Sequence, residues 1–285
     1  MARLDPAWLN AQYNNRARVP EHPQILERWA RASALARDGL SRRLDVPYGR
    51  GPNETLDIFP SARAGAPVLV FIHGGWWRAL DKRDLSFIAP TFVQAGAMVV
   101  VPNYALCPAV SIEAIALQMT QALAWTYRHA ALYGGDPQRI VVAGHSAGAH
   151  LAAMLLCCDW PSVANDLPPD IARRALAISG VYELEPLRHT PFLQGDLRLT
   201  PHAVRRLSPA LFPVPKGTLY AAVGADESWE FLRHNALIQQ AWGHDAVPVC
   251  ETVAGANHFS VLHDLVDPNA RLHAMAIELL GLRSA

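Results

Sequence analysis

The chain has 285 residues, 51% of them hydrophobic, with 25 lysines and arginines balanced by 25 aspartates and glutamates. That length and apolar content suit one α/β domain with a large core, and the cancelled charge leaves no footprint for nucleic acid or an anionic membrane surface. The four cysteines (Cys107, Cys157, Cys158 and Cys250) lack CxxC or zinc-finger spacing, which predicts reduced core thiols in a reducing compartment.

Taken in chain order, the opening stretch MARLDPAWLNAQYNN carries charges where a signal peptide needs an apolar run. No apolar run reaches the roughly 18 residues of a membrane span, so the expectation is a soluble, cytoplasmic protein. Residues 1–40 are rich in Arg, Ala and Trp, and Pro6, Pro20 and Pro23 divide them into short helical pieces. Leu26, Trp29, Ser33, Leu35 and Ala36 give one weakly amphipathic helix that Gly39 can end. This arm is expected to pack on the main body, beside the entrance to a site.

LDVPYG and ETLDIF predict two strands around the turn-forming Arg50-Gly51-Pro52-Asn53. Short β-branched runs follow at 67–72, 97–102 and 139–144, with helical patterns at 84–95 and 111–131 and from Ala147 to Cys158. Further strands are predicted at 174–179, 218–224 and 247–253, and a last helix from Pro268 to Leu282. Near-continuous apolar strands alternating with helices mean a mostly parallel sheet, of about eight strands, covered on both faces. The proline-rich stretch 180–217, poor in strand character, is expected to form a cap or lid.

Gly144-His145-Ser146-Ala147-Gly148 follows the strand RIVVA and opens the helix AHLAAMLL. In that context G-x-S-x-G predicts a sharp strand-to-helix turn that exposes a nucleophilic serine, with small neighbours because helix and strand approach closely. A serine hydroxyl needs a base to take its proton. An acid and a histidine should therefore follow, each after a strand: Asp226 after TLYAAVG, and His258 after VPVCETV. Glu227 is the rival acid and His263 a weaker rival base. Upstream, VLVFIHGGWW places Gly74 and Gly75 directly after a buried strand, where their N–H groups, with that of Ala147, can stabilise an oxyanion. His73 is expected to anchor this loop through hydrogen bonds. No His, Cys, Asp or Glu spacing predicts a metal site, and no cofactor is implied.

The order Ser146, Asp226, His258 behind an HGG loop resembles the α/β-hydrolase fold in its HGGG-type esterase branch. HGGWW is similar to the HGGxW signature of kynurenine formamidases (arylformamidases), and GHSAGAHLAAMLL and SGVYELEPL resemble the elbow and following segment of those enzymes. The likeness runs from about Leu44 to the C-terminal helix and is most specific from Ile72 to Leu187. It implies Ser146, Asp226 and His258 as the triad, Gly74, Gly75 and Ala147 as oxyanion donors, and Trp76 in place of a third glycine.

Trp76, Trp77, Tyr104, Phe192, Trp229 and Phe259 are candidates to line the cleft, where aromatic walls suit a flat aryl group. An aryl formamide fits: the formyl group needs almost no acyl pocket, and an aniline leaves more readily than an alkyl amine. Arg78, Lys82 and Arg188 are candidates to pair with a substrate carboxylate. A carboxylesterase for small aryl or short-acyl esters would use the same machinery. A non-catalytic binding protein on this scaffold is disfavoured by the intact nucleophile, acid and base. The expected partner is a small molecule, and a homodimer is left open.

Overall fold

The computed structural model describes residues 5–283. The N-terminal part forms α1 (Pro6–Tyr13), α2 (Asn15–Arg18) and α3 (His22–Gly39). Pro6 and Pro23 fall in first turns rather than interiors, where the missing N–H costs nothing. Asp5 caps α1 by accepting from Trp8 N at 2.8 Å. Helix α3 buries Ile25, Trp29, Ser33 and Ala36. Leu35, expected on the same face, is instead 73% exposed.

The main body follows as β1 (Arg43–Pro47), β2 (Thr55–Phe59), β3 (Ala66–Ile72), α4 (Ala89–Ala95), β4 (Met98–Pro102), α5 (Ile112–His129), β5 (Gly135–His145), α6 (Ala147–Leu156), α7 (Trp160–Val163) and β6 (Arg174–Ile178). Then come α8 (Glu185–Arg188), α9 (Pro191–Leu197), α10 (Pro201–Arg206), β7 (Thr218–Gly224), α11 (Trp229–Ala246), β8 (Val249–Val253), α12 (Val261–Val266) and α13 (Arg271–Leu280). The helix expected at 84–95 divides into a 3-10 turn at Lys82–Ile88 and α4, with Pro90 in the first turn of the second piece. The last helix starts after Pro268, not on it.

The strands form one eight-stranded sheet in the order β1-β2-β4-β3-β5-β6-β7-β8. The pairings of β1 with β2 and of β2 with β4 are antiparallel, and the rest are parallel. Strand β3, APVLVFI, is buried along its whole length, as a strand covered on both faces must be. Its side chains alternate between two cores. Val68, Val70 and Ile72 join the α5, α6 and α11 side, whereas Leu69 and Phe71 join the side formed by α3, α4 and α13. Each such fully buried aliphatic side chain contributes roughly 1.5–3 kcal/mol, so the two-sided core dominates stability.

One buried ionic cluster ties α3 to the sheet edge. Asp57 on β2 is fully buried and accepts Lys82 Nζ at 2.8 Å, Asp45 N at 2.9 Å and the Arg37 guanidinium. Lys82 also pairs with Asp45. This lysine is consumed by the fold and has no charge to offer a substrate. Among the described residues no helix is long and apolar enough to cross a membrane.

Candidate active site

Strands β3, β5, β7 and β8 run parallel and end together, with Ile72 registered to Gly144 and Gly224 to Val253. The loops at their carboxyl ends therefore meet, the position where open α/β sheets bind ligands. A cavity of about 510 Å³ opens there, lined by Ser146 and His258 among others.

Ser146 joins β5 to α6 with φ 57° and ψ −117°, a conformation unfavourable for a side chain. The flanking glycines explain how the turn is possible. A Cβ on Gly144 would lie 2.3 Å from the Gly148 carbonyl, and one on Gly148 would lie 2.0 Å from the Ile72 oxygen. Helix α6 thus seats directly on β3 and β5, holding the hydroxyl over the sheet.

The HGG loop bends over this turn. Gly75 has φ +95° and lines the cavity, and a Cβ on Gly74 would lie 3.1 Å from that of Ser146. Ala147 is the first residue of α6, so its N–H is one of the donors that a helix start leaves without a backbone partner. Behind the loop, His73 places Nδ1 3.0 Å from the Gly74 carbonyl and Nε2 3.1 Å from Asn103 Oδ1. Complete burial pushes its pKa down to about 4, so it is a neutral anchor. Tyr104 stacks on this ring at 4.1 Å and its hydroxyl donates to the His73 and Gly74 carbonyls at 2.9 and 3.1 Å. Tyr104 supports the loop from behind and does not line the cavity, contrary to the expectation from sequence.

The carboxylate that meets His258 is Glu227, not Asp226. His258 Nδ1 donates to Glu227 Oε2 at 2.6 Å. Glu227 Oε1 accepts Gly224 N–H at 2.9 Å and the Ser179 hydroxyl, so both oxygens are held. The turn after β7 decides between the neighbours: Asp226 N bonds the Ala256 carbonyl at 3.0 Å and its side chain is exposed, while Glu227 turns inward and is buried. His263, the rival base, sits exposed on α12 away from the cavity.

His145, which was not singled out from sequence, holds the His258 loop. Its Nε2–H donates to the His258 carbonyl at 2.8 Å, and the rings lie 4.7 Å apart. Burial, and secondarily His258, hold its pKa well below the usual histidine value, so it stays neutral.

Trp76, Phe192 and Phe259 line the cavity as expected. Trp77 does not: it is fully buried and packs edge-on against His150 at 5.0 Å. Trp229 is 56% exposed and meets Trp8 of α1 at 6.2 Å, outside the cavity. Of the candidate cations, only Arg78 lines the cavity, and it is engaged by Asp196 and by the Phe192 carbonyl at 2.9 Å. Arg188 is paired with Glu185. Much of the remaining wall comes from the N-terminal arm through Asn14, Asn15, Arg16, Leu26 and Trp29, with Ala79, Leu80 and His145 beside them.

Residues 56–160 match the family model described as BD-FAE. Over 255 residues the chain is 31% identical to the kynurenine formamidase of Danio rerio, covering 86% of this chain and 84% of that protein. The chain belongs to the kynurenine formamidase family.

This membership extends over nearly the whole chain: the kynurenine formamidase of Drosophila melanogaster is 28% identical over 92% of this chain and 91% of its own length. The crystal structure of a Silicibacter sp. TM1040 protein, provisionally named a thioesterase, superposes with a TM-score of 0.81 at 32% identity, covering 93% of this chain and 97% of that one. An esterase from Pyrobaculum calidifontis shares the fold, with a TM-score of 0.70 at 17% identity over 91% of this chain and 92% of its own. As a kynurenine formamidase-family member the chain is an α/β-hydrolase enzyme, with the eight-stranded, mostly parallel sheet of that fold.

Proposed function

We propose that this enzyme hydrolyses an aryl formamide of the N-formylkynurenine type, with Ser146 as nucleophile, His258 as general base and acid, and Glu227 as the carboxylate that fixes the imidazole. The observation that carries this reading is the 2.6 Å bond from His258 to Glu227, beside a cavity shared by His258 and Ser146, in a chain spanning 84% of a kynurenine formamidase.

The chemistry follows from the tautomer. With Nδ1–H committed to Glu227, the Nε2 lone pair of His258 is free to take the Ser146 proton. The alkoxide attacks the formyl carbon, and the N–H groups of Gly74, Gly75 and Ala147 receive the developing oxyanion; removing one such donor costs about 2.7–4 kcal/mol. The imidazolium then passes its proton to the aniline nitrogen as the C–N bond breaks. Water, deprotonated by the same histidine, attacks the formyl-serine and releases formate. The formyl group carries only hydrogen beyond its carbon, so the acyl side needs little space. Trp76, Phe192 and Phe259 are then available to bury the aryl leaving group. In this reading residues 180–217 act as a cap, contributing Phe192 and Asp196 to the wall.

A carboxylesterase is the second reading, favoured by 38% identity to the esterase LipQ of Mycobacterium tuberculosis across 151 residues, which cover 35% of that protein. Comparing kcat/KM for N-formylkynurenine with p-nitrophenyl acetate and butyrate separates the two. The formamidase reading expects the formamide to equal or exceed the intrinsically more reactive esters, and a strong preference for the esters overturns it. Ser146→Ala is expected to abolish turnover while leaving the fold intact; full activity would remove Ser146 from the mechanism. The four unpaired cysteines suit a reducing compartment, and we extend the proposal to a cytoplasmic location and a small-molecule partner.

A further inference from the structure

The N-terminal arm brings one uncompensated positive charge to the cavity, with unpaired donors buried behind the same wall. The cavity lining includes the charged groups Arg16, Arg78 and Asp196. Arg78 and Asp196 neutralise each other, Glu227 is committed to His258 and Ser179, and Asp226 and Glu21 line a smaller cavity that Asn15 and His258 share. Arg16, exposed on α2, has no carboxylate partner among the described residues.

A second, independent observation points to a ligand at the same wall. Asn15 is 5% exposed and lines the cavity, and its Nδ2 is buried without a hydrogen-bond partner; the Nε1 of Trp29, another lining residue, is likewise buried and unpaired. An unpaired buried donor is costly, and native folds rarely retain one without a reason. Two unpaired donors buried behind a wall that carries an unpaired guanidinium fit a receptor for an anion. The geometry of the guanidinium suits the two oxygens of a carboxylate.

The arm is held rigidly enough to serve. The Tyr13 hydroxyl donates to Glu230 Oε2 at 2.5 Å, and its ring packs edge-on against Trp76 at 5.9 Å and Phe231 at 6.0 Å. Asn14 Oδ1 then accepts Ala17 N at 3.2 Å, which fixes the step from α1 into α2 and hence the position of residues 15 and 16. Phe231 touches the His258 ring at 4.5 Å, so the same packed column carries the arm and the base.

We propose that Arg16, assisted by the Asn15 amide, is the specificity determinant that binds a carboxylate on the leaving-group side of the substrate. The inference rests on the aryl formamidase reading, which supplies a leaving group bearing an amino acid. Its test is the ratio of kcat/KM for N-formylkynurenine to that for 2-formamidoacetophenone, which lacks the amino acid end. The wild-type ratio should fall about tenfold in Arg16→Gln, mainly through KM, the low end for a hydrogen bond to a charged group because Arg16 is solvent-exposed. Arg16→Lys should restore part of it. An unchanged ratio overturns the proposal. If the wild type cleaves neither formamide, the functional reading fails on its own. The inference is then judged by inhibition of p-nitrophenyl acetate hydrolysis by kynurenine and by 2-aminoacetophenone. Kynurenine should inhibit more strongly, and lose that advantage in Arg16→Gln; equal inhibition of the wild type overturns it.

Discussion

Replacing Glu227 by glutamine changes one atom and should nearly silence the enzyme. Gly224 N–H points at Oε1 from 2.9 Å, and the Ser179 hydroxyl bonds the same oxygen. In the amide, the oxygen must keep that position, because the alternative sets the NH₂ against the Gly224 N–H. The amide nitrogen then occupies the Oε2 site, 2.6 Å from His258 Nδ1, where it can only donate. His258 is forced to carry its proton on Nε2, the nitrogen that in the proposed mechanism accepts from Ser146. The ring cannot escape by shifting, since His145 holds its carbonyl at 2.8 Å. In the Ser-His-Asp template this error of tautomer lowers kcat by about 10⁴, or about 5 kcal/mol of barrier. Asp226→Asn, exposed and outside this network, should change kcat less than twofold. Turnover of N-formylkynurenine and p-nitrophenyl acetate, with thermal melts to confirm folding, measures both variants. Retention of more than a tenth of wild-type activity in Glu227→Gln, or a loss above tenfold in Asp226→Asn, would refute the assignment.

Ser146→Gly and Ser146→Ala should both be inactive, but the glycine variant should be the more stable in urea by about 1 kcal/mol, because only glycine relieves the strain at φ 57°; equal midpoints would show that the turn stores none. Acid should weaken the fold through His73 and His150, both buried with pKa pushed down to about 4. Between about pH 6.5 and 4 the unfolded chain binds the extra protons, so stability falls with pH, by about 2 kcal/mol per histidine at pH 5. Denaturant titrations at pH 7 and 5 should show a shallower loss in His150→Gln, and an identical loss would remove His150 from the effect. The adjacent tryptophans should separate cleanly. Trp77→Ala should cost about 3–5 kcal/mol of stability as a buried truncation, whereas Trp76→Ala should mainly raise KM for the aryl substrate; a stability loss confined to Trp76→Ala would reverse their roles.

That pair of tryptophans shows where sequence reasoning reaches its limit. The strands were legible because β-branched runs such as PVLVFI and AMVVVP have no other stable use in a chain of this composition. The elbow was legible because Gly144 and Gly148 are demanded by contacts of 2.3 and 2.0 Å that no side chain survives. Neither signal says which of two neighbours faces a cavity. Trp76 and Trp77 both adopt positive φ, 53° and 55°, so neither strand alternation nor helical spacing predicts their directions. The Asp226-Glu227 pair failed in the same way. Both residues offer a carboxylate after β7, and only the hydrogen bond from Asp226 N to the Ala256 carbonyl, contributed by another loop, settles which one turns inward.

The arm lies beside the cavity as expected, but which of its residues line it was not legible, for a different reason. Its helices carry weak amphipathic patterns, and the family likeness begins only near Leu44, so nothing local marks Asn14-Asn15-Arg16 as part of a site. What places them is a side chain more than two hundred positions away: Glu230 of α11 accepts the Tyr13 hydroxyl, and Phe231 beside it packs on both Tyr13 and His258. One turn of α11 therefore positions His258 and the arm together. If the arm does read a carboxylate, recognition and base placement share a support. A substitution at Phe231 should then disturb kcat and KM at once, whereas one at Arg16 should act mainly on KM.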